Sequence, residues 1–221
     1  STGGGGDDDD DASRVCLGVG ADAISLRTYD RANEVGLRPW PAAEVLAEWA
    51  AAQTWDGRRV LELGAGLGLA AVALARRGAF VVATDGDARV CANLRHNVAL
   101  NDVDERRCRV EEFRWEDHAA FFSREAPFDS VVAADCVYDA DVAPALAATL
   151  AGALRRNPRC DVWVANAVRN AETWAATEAA LLARGLDLED GVSVVAGVAA
   201  AGGPRFAPPR VWAERAAALR S

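Results

Sequence analysis

Apolar and polar residues along the chain switch repeatedly between short continuous apolar runs and stretches with helical spacing. The clearest switch begins at Arg59. Val60, Leu61 and Leu63 form an apolar run that breaks into three alternating glycines, Gly64, Gly66 and Gly68, and an Ala-rich amphipathic stretch follows. A second apolar run, Phe80 to Thr84, ends on Asp85. This order predicts strand, tight turn, helix and strand, one βαβ unit. Val90, Leu94 and Val98, with Cys91 beside them, predict a helix over Asp87 to Leu100 ended by Asn101-Asp102, and Cys108 to Phe113 predicts a third strand. Phe128 to Tyr138 reads as a buried strand ending in Asp135, with Tyr138 three residues later. So continuous an apolar run implies a parallel sheet covered on both faces. A helix over Val142 to Arg155, a strand over Asp161 to Val168 and a helix over Ala171 to Ala183, closed by Gly185, continue the alternation.

The two ends are less regular. Gly36 to Pro41 is a proline-flanked entry into a helix over Ala42 to Ala51, with Val45, Leu46 and Trp49 on one face. Val15 to Tyr29 alternates loosely, as one or two short strands or a lid would. Residues 1–12, rich in Gly and Asp, are expected to be disordered and dispensable; residues 13–221 are expected to form a single domain. Beyond Leu188, Val192 to Val195 and Arg210 to Ala213 are candidate closing strands around a loose loop, Ala199 to Pro209, and Glu214 to Arg220 would equally make a helix.

The glycine spacing narrows the chemistry. Glycine suits a turn whose backbone angles a Cβ forbids and where a ligand must approach the main chain. A dinucleotide fingerprint places glycines at the first, third and sixth positions, but the sixth counted from Gly64 is Leu69. Asp85, at the end of the next strand, is placed to hold ribose hydroxyls. Ligands in open parallel sheets sit beyond the carboxyl ends of the strands, which puts Asp135 and Tyr138 over the reacting end of the ligand; a helix cap and a packing residue are their plainer alternatives. Trp40 is either a core anchor or an aromatic wall of the pocket, and Trp115 either a loop anchor or a cover for a base.

Composition bounds the rest. A chain of 221 residues fits one well-buried domain. The net charge of −9 includes five charges from Asp7 to Asp11, leaving the body near −4. An acidic body argues against nucleic acid as the main partner and is compatible with a basic protein substrate. The chain contains neither Lys nor Met, so it cannot methylate lysines of its own, and the absence of Met at position 1 is read as a missing N-terminal segment. Five scattered cysteines and two histidines suggest neither a metal site nor a disulfide framework, so a reducing, cytoplasmic or nuclear compartment is expected; separately, the protein is expected to be a monomer. No apolar run approaches a membrane span.

Together, Trp40 before an apolar helix, Glu62-Leu-Gly-Ala-Gly66, Asp85, Trp115 and Ala134-Asp135-Cys-Val-Tyr138 resemble the seven-β-strand protein-lysine methyltransferases of methyltransferase family 16. The resemblance covers about Leu37 to Leu188. Within the family, Leu37 to Ala50 and Val168 to Thr173 are most similar to the elongation factor 2 lysine methyltransferases, and the Trp-Pro start and Ala-Asp-Cys to the calmodulin lysine methyltransferases. The resemblance implies an α/β, Rossmann-like class I fold with a mostly parallel seven-stranded sheet between helices. It implies S-adenosyl-L-methionine as cofactor, held by Trp40, Glu62, Gly64, Ala65, Gly66, Gly68, Asp85, Trp115 and Ala134. Asp135 and Tyr138 would line the channel where a lysine arrives. The C-terminal hairpin of the elongation factor enzymes is poorly marked here. The rival readings are a methyltransferase acting on arginine or a small molecule, and a binding module that keeps the pocket as scaffold.

Overall fold

The computed structural model describes residues 11–29, 35–186 and 210–214. An antiparallel ribbon, β1 (Ala12–Val19) and β2 (Asp22–Tyr29), leads into α1 (Pro41–Ala51). Then follow β3 (Arg59–Leu63), α2 (Leu69–Arg76), β4 (Phe80–Asp85), α3 (Ala88–Leu100), β5 (Cys108–Glu112) and α4 (His118–Arg124). The chain continues through β6 (Ser130–Ala134), α5 (Ala143–Arg156), β7 (Asp161–Asn166), α6 (Ala171–Leu182) and β8 (Arg210–Glu214). The main sheet runs β5-β4-β3-β6-β7-β8. β3 pairs in parallel with β4 and β6, β5 with β4 and β7 with β6, while β8 pairs antiparallel to β7, with Trp163 opposite Ala213.

Alternation along each strand explains the layers. Val60, Val81, Ala83 and Val132 enter one core with Leu46 of α1, Leu74 of α2 and Leu94 of α3. Their neighbours Leu61, Val82 and Val131 enter the other, with Phe121 of α4, Leu150 of α5 and Leu181 of α6. A sheet covered on both faces needs apolar residues in both phases, which is why the runs are continuous. Strand order turns back between β3 and β6, so the switch-point crevice opens at their carboxyl ends.

Several boundaries differ from the sequence expectation for local reasons. The run expected over Phe128 to Tyr138 ends as a strand at Ala134, because Asp135 takes a left-handed backbone (φ 50°) and turns the chain. β1 begins at Ala12, one residue inside the segment expected to be disordered; Ala12 pairs with Tyr29 and packs beside Leu37 and Val90. The loose alternation of Val15 to Tyr29 is a full hairpin rather than a lid. β8 takes the place of the closing strand expected at Arg210 to Ala213, so Glu214 extends a strand. The strand expected over Val192 to Val195 and the loop over Ala199 to Pro209 lie outside the described residues.

The outer edge of β2 is satisfied by side chains. Asn93 and Asn97 of α3 and Asn101, the C-cap residue that follows it, recur every four residues on one face. Asn101 accepts from the Ser25 N–H at 3.0 Å and donates to the Ser25 carbonyl at 2.7 Å. Asn97 treats Arg27 in the same way, at 2.7 and 3.2 Å. Asn93 accepts from Arg27 Nε at 2.8 Å and donates to its carbonyl at 3.0 Å. Each carboxamide offers the donor and acceptor of a peptide unit, so the row replaces a missing neighbouring strand.

Candidate functional site

Between β3 and α2 the backbone turns through Gly64 (φ 60°), Gly66 (φ 53°) and Gly68 (φ 85°). Two of these positions exclude a side chain on packing grounds as well. A Cβ on Gly64 would lie 2.7 Å from Cys136 Sγ, and one on Gly68 2.2 Å from Leu94 Cδ1. The loop is anchored on β4 and α3. Ala65 N–H donates to the Thr84 carbonyl at 2.8 Å, Gly66 N–H to Asp85 Oδ2 at 3.2 Å, and Asn97 Nδ2 to the Leu67 carbonyl at 3.0 Å.

The loop borders a cleft with Trp40, Glu62 and Ala134, which joins Gly64, Ala65, Gly66 and Gly68 of the sequence-predicted set. Leu26 of the ribbon, Arg38, Pro39 and Ala43 complete this wall. Trp40 precedes α1, and its Nε1 donates to the Val35 carbonyl at 2.8 Å, fixing the ring. Glu62 is 2% exposed, and its Oε2 has no hydrogen-bond partner among the described residues. Burial pushes the Glu62 carboxyl up to about 8; the Ala71 N–H opposes that shift and the charge of Asp85 adds to it. A buried acid with an unpartnered oxygen, on a residue that lines the cleft, suits a ligand carrying positive charge.

Asp85 sits beside the cleft rather than among these lining residues. Its carboxylate accepts from Gly66 N–H and, at 3.2 Å, from Asp87 N–H, and burial holds it above the ordinary carboxylate range against those hydrogen bonds. Trp115 Cζ2 would lie 3.8 Å from a Cβ on Gly64, so the ring closes on the loop from the α5 side, where the Trp115 carbonyl accepts from Thr149 Oγ1 at 3.3 Å.

Asp135 and Tyr138 stand at the end of β6 in different states. Asp135 is 8% exposed, and each carboxylate oxygen receives two hydrogen bonds. Oδ1 accepts from Ala167 N–H and Arg169 Nη1, both at 3.0 Å, and Oδ2 from Arg169 Nη2 at 2.8 Å and Ala42 N–H at 3.3 Å. The Ala42 contact satisfies a first-turn donor of α1, so Asp135 caps a helix distant in sequence. Tyr138 is 60% exposed. Desolvation, followed by the charges around Cys136, Asp85 and Asp139, holds its phenol above its ordinary value. Beneath the turn, Cys136 Sγ donates to the Leu63 carbonyl at 3.1 Å, and burial keeps it a thiol.

Arg169 and Asn97 carry parts of this arrangement that the linear sequence does not announce. Arg169 lies 34 residues from its partner. The row of asparagines, a poor helix former repeated at helical spacing, is the one signal that points to Asn97. Among the described residues no cluster of His, Cys, Asp and Glu could hold a metal, and no helix is long and apolar enough to cross a membrane.

Comparison with known proteins agrees with this geometry. Over 164 residues the chain is 34% identical to the protein-lysine N-methyltransferase EFM3 of Chaetomium thermophilum, covering 69% of this chain and 48% of that protein. Over 143 residues it is 26% identical to the histone-arginine methyltransferase METTL23 of Mus musculus, covering 63% and 56%. The chain thus spans about half the length of these relatives. The fold is shared with the solved 16S rRNA N2 G1207 methyltransferase RsmC of T. thermophilus, with a TM-score of 0.63 at 21% identity over 92% of this chain and 50% of that one. The lysine methyltransferase family profile matches residues 21–175, more than half of the chain. With its glycine turn, switch-point cleft and doubly covered parallel sheet, the chain belongs to the lysine methyltransferase family.

Proposed function

We propose that this protein is an S-adenosyl-L-methionine-dependent methyltransferase that acts on a lysine amine of a protein substrate. The observation that carries the proposal is the bare Oε2 of buried Glu62 in a cleft floored by the Gly64–Gly68 turn. The residues present fit the cofactor: an acid for its positive charge, glycine backbone open to close approach, the Asp85 carboxylate for hydroxyls and the flat rings of Trp40 and Trp115. When bound, S-adenosylmethionine supplies a methyl group on a cationic sulfur, open to direct displacement by an amine.

The chain's own task is alignment, since a direct displacement needs the reacting atoms held within about 3 to 3.5 Å. A lysine ammonium, with an ordinary pKa of about 10.4, must first lose a proton, and desolvation at the cleft mouth favours that loss. The Tyr138 hydroxyl orients the amine. Asp135, with both oxygens occupied, contributes by fixing the turn that carries Tyr138. By family resemblance elongation factor 2 is the first candidate substrate and calmodulin the second. We take the protein to act as a monomer in the cytoplasm or nucleus; its acidic body, near −4 without the run from Asp7 to Asp11, supports a protein partner over nucleic acid.

Labelled cofactor incubated with each candidate protein, followed by peptide mapping, should place the methyl on lysine. Tyr138→Phe should lower turnover at least about tenfold and leave cofactor affinity within about twofold. A second reading, arginine as acceptor, draws on the 26% identity to the histone-arginine relative; methyl mapped to arginine would establish it. Cofactor binding without transfer to any protein would instead favour a binding module.

A further inference from the structure

We propose that Arg169 is a positioning residue of the site, whose planar guanidinium clamps Asp135 with one edge and braces Trp40 with its face. The inference rests on the proposed lysine-methylating function and names a residue that joins its two halves. Three observations carry it. The Arg169–Asp135 pair is bidentate, at 3.0 and 2.8 Å, with the Asp135 side chain 2% exposed. The Arg169 Cζ lies 4.9 Å from the centre of the Trp40 ring, a cation–π distance. Asp135 is in turn tied to Ala42 N–H, directly after the Trp40-Pro41 entry to α1.

The chain brings three distant segments to one point in this way. Trp40 lines the cleft and Asp135 begins the turn to Tyr138, so the arginine couples the cofactor wall to the amine-facing turn. Only arginine has the geometry for both contacts, because its fork matches a carboxylate while its plane stacks on an aromatic ring; a lysine ammonium offers a point charge alone. Asp135 also holds a left-handed backbone, φ 50°, a conformation that costs a residue with a side chain some energy and that the clamp helps to hold. The guanidinium donates no proton and touches no reacting atom, so its contribution is alignment.

The experiment compares Arg169→Gln and Arg169→Lys with the unaltered chain by three readouts: turnover on elongation factor 2, calorimetric S-adenosylmethionine affinity, and hydrogen exchange of the 40–43 and 135–138 segments. Arg169→Gln should lower kcat by about tenfold or more, since small misalignments are expensive in displacement chemistry, while cofactor affinity, which draws on the braced Trp40 ring, falls by a clearly smaller factor. Exchange should rise in both segments and stay unchanged in the central strands. Arg169→Lys should resemble the glutamine variant, because charge without the fork does not restore the clamp. Wild-type kcat in Arg169→Gln, or full rescue by lysine, would overturn the proposal. If the unaltered chain transfers no methyl to lysine, the functional proposal fails by itself; unchanged exchange in both segments would then overturn the clamp, and raised exchange confined to them would sustain it.

Discussion

Asn97 on α3 donates from Nδ2 to the carbonyl of Leu67, inside the glycine loop, at 3.0 Å, while its Oδ1 accepts from the Arg27 N–H of the ribbon at 2.7 Å. One fully buried carboxamide therefore links the ribbon, α3 and the turn that floors the cleft. Asn97→Ala would leave the Arg27 N–H and the Leu67 carbonyl without this partner. With each buried unsatisfied group costing about 1 to 3 kcal/mol, a loss of roughly 2 to 6 kcal/mol is expected in urea unfolding, together with weaker cofactor binding. A loss under about 0.5 kcal/mol would show that the loop stands without its brace.

Glu62 makes cofactor binding pH-dependent. In the free protein its carboxyl titrates at about 8, and a cation beside Oε2 favours the ionised form. Affinity should therefore rise as pH increases toward about 8, with a proton released on binding; calorimetry in buffers of different ionisation enthalpy measures that release. The stability linkage has the opposite sense. The folded carboxyl keeps its proton above its ordinary value of 4.5, so the free protein loses stability as pH rises from there to about 8. Glu62→Gln should lack this loss, its melting temperature gaining on the wild type across the window, and should bind cofactor more weakly. Equal proton release from both proteins would remove Glu62 from the assignment.

Gly64→Ala tests the fit of the loop against Cys136. The left-handed backbone alone costs an alanine about 1 to 2 kcal/mol, and the new Cβ would meet Cys136 Sγ at 2.7 Å. Combining it with Cys136→Ala should relieve the overlap and leave the backbone strain, so the double-mutant cycle should show favourable coupling. Strict additivity would mean that the turn moves away from the sulfur.

For Asp85→Ala, calorimetry with S-adenosylmethionine and its demethylated product should show affinity reduced about tenfold or more, as the loss of hydrogen bonds to a charged group, about 1.5 to 3 kcal/mol, implies. Asp85 also receives Gly66 N–H, so part of that loss would come through the loop. Asp85→Asn, which keeps an acceptor, should fall between the two. Preferential binding of NAD by the unaltered chain would contradict the choice of cofactor.

The sheet and the glycine turn were legible because their signals are local: Val60 to Leu63, the glycines and Asp85 lie within one βαβ unit, and the crevice follows from strand order. The state of Asp135 was not. A linear reading sees an acid three residues before a tyrosine, whereas the partners that occupy both oxygens come from Ala42, Ala167 and Arg169, segments that only the folded sheet brings together. The ribbon was indistinct for a related reason. Ile24 and Leu26 are buried while Ser25 and Arg27 keep their side chains partly exposed, and the outer main-chain groups of Ser25 and Arg27 are satisfied by asparagines some 70 residues away.

That pairing has a consequence for association between chains. A strand at the border of a sheet ordinarily presents a row of main-chain donors and acceptors to any other extended segment, and proteins blunt such borders with charge, proline, bulges or a covering element. In β2 one side is taken by β1 and the other by the carboxamides of α3. The strand is thereby finished on both sides at Ser25 and Arg27 and offers no template there for another chain to extend. Protection against edge-to-edge aggregation is supplied at this point by the side chains of a helix.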